Sequence, residues 1–398
     1  MSVERTHTRK TGPVPQPATG CPVGEGADGV WQVRGHETAR ALLRSSETLQ
    51  AGLGIETARI IPSSVRRPVL YQDGEGHRDH RRQTARFFTP RRVDEEYRGT
   101  MERVAEEQLD VLRARRTAEL SDLSFELAIG VAAAVIGLTE SRPGIRKRLD
   151  AFFPQNFGTP GFTSLHGLRW SARLVKNWLR LHLADVRPAV RARRKHRRDD
   201  LISHLLDEDY NTVEILSECL TFAAAGMITT REFVNVAAWH LFDDPKLLAR
   251  YRRADEPERL AVLHEILRLE PVVNLLRRRT TAPVALPAEE GEVTVPAGAL
   301  VDIRLDSANT DPRAVGDAPH DLCPARPLPS GTAPTGLSFG DGPHRCPGRD
   351  IAILETDVFL TRLFALPGLR MSSAPDVSFK PSIGSYELRG LAVELEGT

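Results

Sequence analysis

The feature that most constrains the fold is a single long helix expected from about Thr212 to Phe242. Asn211 followed by Glu214 reads as a capping box, and Asp244-Pro245 stops the run. At 1.5 Å per residue such a helix is about 45 Å long, enough to cross a whole domain. Its centre, Ala223-Ala224-Ala225-Gly226, is unusually small, so something large can lie against it. Close helix packing would use the same residues.

The rest of the chain divides by texture. From about Glu37 to Asp255 the pattern is mostly helical, whereas Pro271 to Asp306 and the stretch from Asp376 onward are rich in Val and Thr with Pro and Gly turns. No internal repeat and no Gly/Ser linker separates two halves. The expectation is one integrated α+β unit, mainly α with small β-sheets, over residues 26–398, behind a flexible Pro-rich leader at 1–25. With 398 residues, 40% of them hydrophobic, the chain can bury a substantial core, and a formal net charge of +1 gives no bulk field toward nucleic acid or an anionic membrane. The four cysteines, Cys21, Cys219, Cys323 and Cys346, are widely spaced, which speaks against a disulfide framework or a structural zinc site. No run reaches the eighteen or so apolar residues of a membrane span. The best candidate, Ala128 to Leu138, reads as a buried helix, and the first residues lack a hydrophobic signal core, so a cytoplasmic protein is expected.

Two further helices carry chemistry. One starts near Pro257 and ends before Pro271, with Leu260, Leu263, Ile266 and Leu267 as its apolar stripe. Glu265 and Arg268 sit on adjacent parts of one face, and taken alone they are a solvated pair. The other follows Cys346, with Ile351, Leu354, Val358 and Leu363 facing a core. Ahead of it, Phe339-Gly340-Asp341-Gly342-Pro343-His344-Arg345-Cys346-Pro347-Gly348 forms a tight, preset loop. A sulfur just before a helix is stabilised as thiolate by the dipole and the free N–H groups. It can ligate a metal, act as a nucleophile, or be an inert buried Cys.

In that decapeptide Phe339, Gly340, Gly342, His344, Cys346 and Gly348 match FGxGxHxCxG, and the chain resembles the cytochromes P-450, whose haem-ligand loop this is. The likeness extends along the chain in family order. Glu265-Ile266-Leu267-Arg268 fits ExxR, and Arg326 in Cys323-Pro324-Ala325-Arg326 fits the Arg that closes that pair into a buried triad. Ala308-Asn309-Thr310-Asp311-Pro312 resembles ANxDP, His77 and Arg81 fit HxxxR, and Phe87-Phe88-Thr89-Pro90 follows. Ala225-Gly226-Met227-Ile228-Thr229-Thr230 resembles the oxygen-binding stretch of the long helix.

The resemblance implies a triangular helical prism with haem b between the long helix and the helix after the Cys loop. It implies Cys346 as the iron ligand, a thiolate that favours O–O cleavage, and Phe339, Gly340 and Gly348 as the cradle around it. His77, Arg81, His344 and, by spacing, Arg278 look like contacts to the haem carboxylates. Ala225, Gly226, Thr229 and Thr230 look like the oxygen-activating stretch. The departure is Ile228, where the family usually places Asp or Glu. Ile228 cannot relay a proton, which leaves ordered water, a substrate hydroxyl or Glu232 as routes.

The chain shows no flavin or iron–sulfur signature. The resemblance therefore implies a ferredoxin and a ferredoxin reductase drawing on NAD(P)H, docked on a basic face that Arg82, Arg86, Arg91, Arg92, Arg345 and Arg349 would supply. The denser run Arg187 to Arg198 reads as a solvated face between helices. By resemblance the pocket is lined near Leu53 to Val69, Phe153 to Leu168, Leu220 to Thr229, Val272 to Leu276 and Ser382 to Tyr386, with Phe222, Ala225, Val273, Asn274, Leu275 and Ile383 as the chosen lining. Such a mixture suits a large, mostly apolar small molecule with a few polar handles. The expected reaction is hydroxylation or epoxidation of a natural-product scaffold. Oxidative C–C or C–O coupling is the alternative, as is a haem-thiolate binding protein without turnover.

Overall fold

The computed structural model of the chain describes residues 9–12, 21–52, 55, 66–152, 164–381 and 383–396. The principal helices are α1 (His36–Arg44), α2 (Gly74–Thr84), α3 (Arg98–Arg115), α4 (Leu120–Ile136), α5 (Ile145–Phe152), α6 (Leu165–Leu181), α7 (Arg187–Lys195), α8 (Thr212–Asp243), α9 (Glu256–Leu269) and α10 (Arg349–Phe364). The long helix runs as the sequence requires. The Asn211 side chain accepts from the Val213 and Glu214 N–H groups, Glu214 returns a bond to the Asn211 N–H, and Asp244 ends the helix ahead of Pro245. By length and composition alone α8 could cross a membrane, with a mean hydropathy of 1.3 over its best window. No residue run had suggested this, because Glu, Thr and Arg interrupt it.

What α8 does in the fold is join two cores. Its C-terminal half, from Phe233 to Leu241, packs with α3, α4, α9 and α10 in the main core, around Met101, Leu127, Ile266 and Phe359. Its N-terminal half, from Ile215 to Met227, packs with the other face of α4 and with Leu181, Val190 and Leu205. Between the two, Ala225, Gly226 and Thr229 belong to neither core and face open space. The small residues at the helix centre thus leave room and do not mark a close helix crossing.

A five-stranded sheet stands beside this helical body. It comprises β1 (Val23–Glu25), β2 (Trp31–Val33), β3 (Thr48–Ala51), β4 (Leu275–Thr280) and β5 (Leu300–Arg304), in the order β1-β2-β5-β4-β3. Only β2 and β5 are parallel. Arg278 pairs with Gln50 on one side and Val301 on the other, and this register turns its side chain inward while Arg277 and Arg279 point out. A hairpin of β6 (Asp376–Lys380) and β7 (Ser385–Arg389) closes the far end.

The leader expected at 1–25 is partly built into the domain. β1 begins at Val23, and Arg9 to Gly12 dock on the end of α9. There the Glu270 carboxylate accepts from the Lys10 and Thr11 backbone N–H groups, meets His240 Nε2 at 2.9 Å, and faces Arg9. Burial alone would raise the Glu270 pKa; the His240 bond, Thr11 and Arg9 reverse this and hold it below the usual carboxylate range. The docking was invisible in the sequence because its partners lie more than 200 residues away.

Candidate functional site

The Cys346 loop is shaped by its backbone. Gly340 and Gly342 both have φ of +66°, which only glycine adopts without strain. A side chain on Gly342 would also lie 2.3 Å from the Leu43 carbonyl oxygen of α1. The Cys346 N–H donates to the Phe339 carbonyl at 2.8 Å, which curls the loop back on itself, and α10 starts three residues later, just beyond Gly348. Desolvation raises the Cys346 thiol pKa, while a bond from the Gly348 N–H and the nearby Arg81 oppose it.

Beside the sulfur stands a cluster of cations and imidazoles. Arg81 donates to the Arg345 carbonyl at 2.6 Å, and the His77 and His344 rings stack at 4.1 Å. His344 Nε2 meets Asp73 at 2.9 Å. Burial, then His344 and Arg81, push His77 down to about 4, so it is neutral at physiological pH. Arg278 is 4% exposed and has no carboxylate within ion-pair distance among the described residues; burial lowers it to about 10 while Asp73 pulls the other way. The residues chosen from the sequence on separate elements, His77, Arg81, Arg278 and His344, therefore converge.

Behind the loop, Glu265 is bound by Arg268 through two bonds of 2.8 Å, by Arg326 Nε at 3.1 Å and by the Cys323 N–H. Arg268 is fully buried and also donates to the Asn309, Pro319 and Asp321 carbonyls. The pair that read as solvated in isolation is the clasp that fastens α9 to the segment leading into the Cys loop.

The middle of α8 packs on α10, the helix that follows the loop. A side chain on Gly226 or on Gly348 would meet nothing within 4 Å. The Thr229 hydroxyl donates to the Ala225 carbonyl at 2.6 Å and lies toward the open side. Thr230, expected beside it, is buried and bonded instead to Glu355 of α10, because the next residue on a helix turns about 100° away. Glu355 was missed by sequence reading. It is an acid at a buried position of α10, and burial raises it to about 8, with Thr230 only partly offsetting this. Glu232 is corrected as a proton route. Its carboxylate already accepts from the Leu388 N–H, Arg389 and Arg231, so it holds β7 to α8. Ile228 lines a different recess, of about 290 Å³, with Arg231, Lys380, Glu387 and Arg389.

Of the expected pocket lining, Phe222 stacks on Phe88 with ring centroids 5.8 Å apart. Val273, Leu275 and Ile383 come together because the Asn274 and Leu275 N–H groups both donate to the Gly384 carbonyl and Val273 bridges to Ser385. Asn274 is corrected: it is buried and spent on Asp306 and the Tyr386 hydroxyl. Leu168 is corrected too, since it lies half-exposed on the outer face of α6. Residues 53–54, 56–65, 153–163 and Ser382, which include Leu53 and Phe153, lie outside the described residues. On the outer surface Arg86 and Arg345 are exposed, Arg82 is exposed and paired with Asp79, and Arg91, Arg92 and Arg349 are paired with Glu95, Asp199 and Asp350.

Comparison with known proteins places this arrangement among relatives. The family description "Cytochrome P450" matches residues 260–381, the part that holds the Glu265 clasp and the Cys346 loop. The biotin biosynthesis cytochrome P450 of Bacillus subtilis (strain 168) is 26% identical over 376 residues, covering 92% of this chain and 90% of that protein. The 6-deoxyerythronolide B hydroxylase of Saccharopolyspora erythraea is 29% identical over 394 residues, covering 92% and 90%. Among solved structures, HmtT, involved in himastatin biosynthesis, superposes with a TM-score of 0.73 at 26% identity, covering 96% of this chain and 95% of that one.

Proposed function

The chain belongs to the cytochrome P450 family of monooxygenases, and on that premise we propose that it hydroxylates or epoxidises a large, mostly apolar natural-product scaffold. The observation that carries the reading is the clustering of His77, Arg81 and His344 at the Cys346 loop, directly ahead of a helix that packs on the middle of α8. These residues fit a haem. The buried Arg278 guanidinium, with no carboxylate partner among the described residues, together with Arg81 and His344, suits the carboxylates of a porphyrin, and a side chain on Gly226 or Gly348 would meet nothing within 4 Å. Cys346 would hold the iron, and the bound haem would supply the activation of O2.

The chain's own residues do the rest. The Gly348 N–H and Arg81 favour the anionic form of the Cys346 sulfur. Thr229 holds a hydroxyl proton at Oγ1, parked on the Ala225 carbonyl. Ile228 supplies none, so the proton for Thr229 comes from water or from the substrate. Phe222, Val273, Leu275 and Ile383 exclude water and bind apolar surface. The exposed Arg82, Arg86 and Arg345 suit an acidic ferredoxin, supplied by a ferredoxin reductase and NAD(P)H in the cytoplasm. The named relatives support a biosynthetic role, one being a hydroxylase of 6-deoxyerythronolide B.

The test has two parts. The Cys346→Ala protein should lose the carbon monoxide difference band of the reduced wild-type protein. A panel of polyketide, peptide and fatty-acyl scaffolds, titrated into the ferric protein, should reveal one class that shifts the absorption spectrum and is oxygenated with a ferredoxin system. An unaltered band in Cys346→Ala refutes the ligand assignment, and spectral binding without product in any class refutes turnover.

A further inference from the structure

Outside the haem site the most unusual surface is the outer face of α6. Of the ten large apolar side chains exposed among the described residues, six lie between Leu165 and Leu183, with Val175 at 66% and Leu179 at 55% exposure. Isolated exposed leucines need no explanation, but a row of them on one helix does. Leu165, Leu168, Ala172, Val175 and Leu179 follow one another at alternating steps of three and four residues. The hollow they form is lined by three overlapping diamonds of residues at i, i+3, i+4 and i+7, starting from Leu168, Ala172 and Lys176. Such a diamond is the hole that receives one knob from a partner helix. The small Ser171 and Ala172 deepen the first of them.

Charge narrows the partner. Arg169, Arg173, Lys176 and Arg180 lie along one edge of the stripe, and no carboxylate occurs between residues 164 and 184. Among the described residues Arg169, Lys176 and Arg180 have no ion-pair partner. A second copy of this helix packed antiparallel would set Arg169 and Lys176 against their own counterparts, and packed parallel would leave them unpaired. A lipid surface would meet cations on one edge only and would leave the hollow at Ala172 unfilled by any defined group.

We propose that α6 is the docking face for a separate protein that presents an acidic amphipathic helix, with apolar knobs at three-four spacing and carboxylates along one flank. The carboxylates pair with Lys176 and Arg180, and the knobs fill the three holes. None of these residues touches the Cys346 loop, so the docking is distinct from electron delivery on the face of Arg82 and Arg345.

The test uses the full haem-loaded chain and two designed three-heptad peptides with leucine knobs, one flanked by Glu and one by Lys. The Glu peptide should bind and the Lys peptide should not. Val175→Asp with Leu179→Asp should weaken the Glu peptide by roughly tenfold or more, and Lys176→Glu with Arg180→Glu should exchange the preference for the Lys peptide. Circular dichroism and the carbon monoxide band of each variant establish that it is folded. Equal binding of both peptides, binding that the charge exchange leaves unmoved, sedimentation with phosphatidylglycerol vesicles in place of peptide selectivity, or a dimer that Val175→Asp dissolves would each overturn the proposal.

Discussion

Helix α10, behind the Cys346 loop, buries ten of its sixteen residues, whereas α6, of seventeen, buries only Gly167, Asn177 and Leu181. The loop before α10 is fixed by left-handed glycines and by a bond from Cys346 to Phe339, and the segment leading into it is pinned to α9 by Glu265, Arg268 and Arg326. The segment before α6 falls among residues 153–163, outside the described residues, and the helix meets the body mainly along one narrow side. One region is over-determined by backbone geometry and buried charge. The other leaves most of its side chains uncovered. A cofactor is the same in every member of such a family and can be held by backbone, but partners and substrates differ and are met by exchangeable side chains.

Substitutions test how deep that contrast runs. The largest loss is expected from Arg268→Ala, which leaves the Glu265 carboxylate buried with one cation removed. It should cost about 3–5 kcal/mol in a urea melt, together with most of the bound pigment. Gly342→Ala should follow, at about 2–4 kcal/mol, since it combines a left-handed φ with a clash on the Leu43 carbonyl. If both losses fell below 1 kcal/mol, roughly the range of an ordinary surface change, the loop would not be over-determined.

A third substitution should have the opposite sign. Glu218 is buried beside His80 at 3.9 Å, with Glu218 Oε2 and His80 Nε2 both without a hydrogen-bond partner. Burial raises Glu218 to about 8, against a partial offset by the Val69 N–H, and burial likewise lowers His80 to about 4. In the unfolded chain Glu218 loses its proton near pH 4.5, whereas in the folded chain it keeps it to about pH 8, so folding stability falls as the pH rises through that interval. Gln cannot ionise and can donate to His80. Glu218→Gln should therefore be more stable than wild type by about 1–3 kcal/mol at pH 7, with the gap closing toward pH 4.5. Melts at four pH values check this, and a gap independent of pH would show that the proton is not what matters. The smallest effect belongs to α6: Val175→Ser, exposed on both sides, should change stability by less than about 0.5 kcal/mol.

The same contrast explains what could be read from the chain beforehand. The bounds of α8 were legible because Asn211, Glu214 and Pro245 act locally, and the Cys346 loop because its glycines are required by φ. Arg278 was separable from Arg277 and Arg279 only by register, which the pairing of β3, β4 and β5 supplies. Asn274, Leu168 and Glu232 were misplaced for one reason. A side chain's direction depends on partners elsewhere in the chain, Asp306 and Tyr386 for Asn274, Leu388 and Arg389 for Glu232. Glu355 and Glu218 carried no local signal, because an acid in an apolar stripe reads as a gap in the stripe until its burial is known.

The docking of Arg9 to Thr11 has a practical corollary. Glu270 ends the helix that carries Glu265 and Arg268, and it is sheltered by residues that a recombinant design would ordinarily treat as expendable. Shortening the protein to begin at β1 would leave that buried carboxylate with only His240 of these partners, so the trimmed enzyme should soften first at the junction of α8 and α9. Purification tags are better carried at the other terminus.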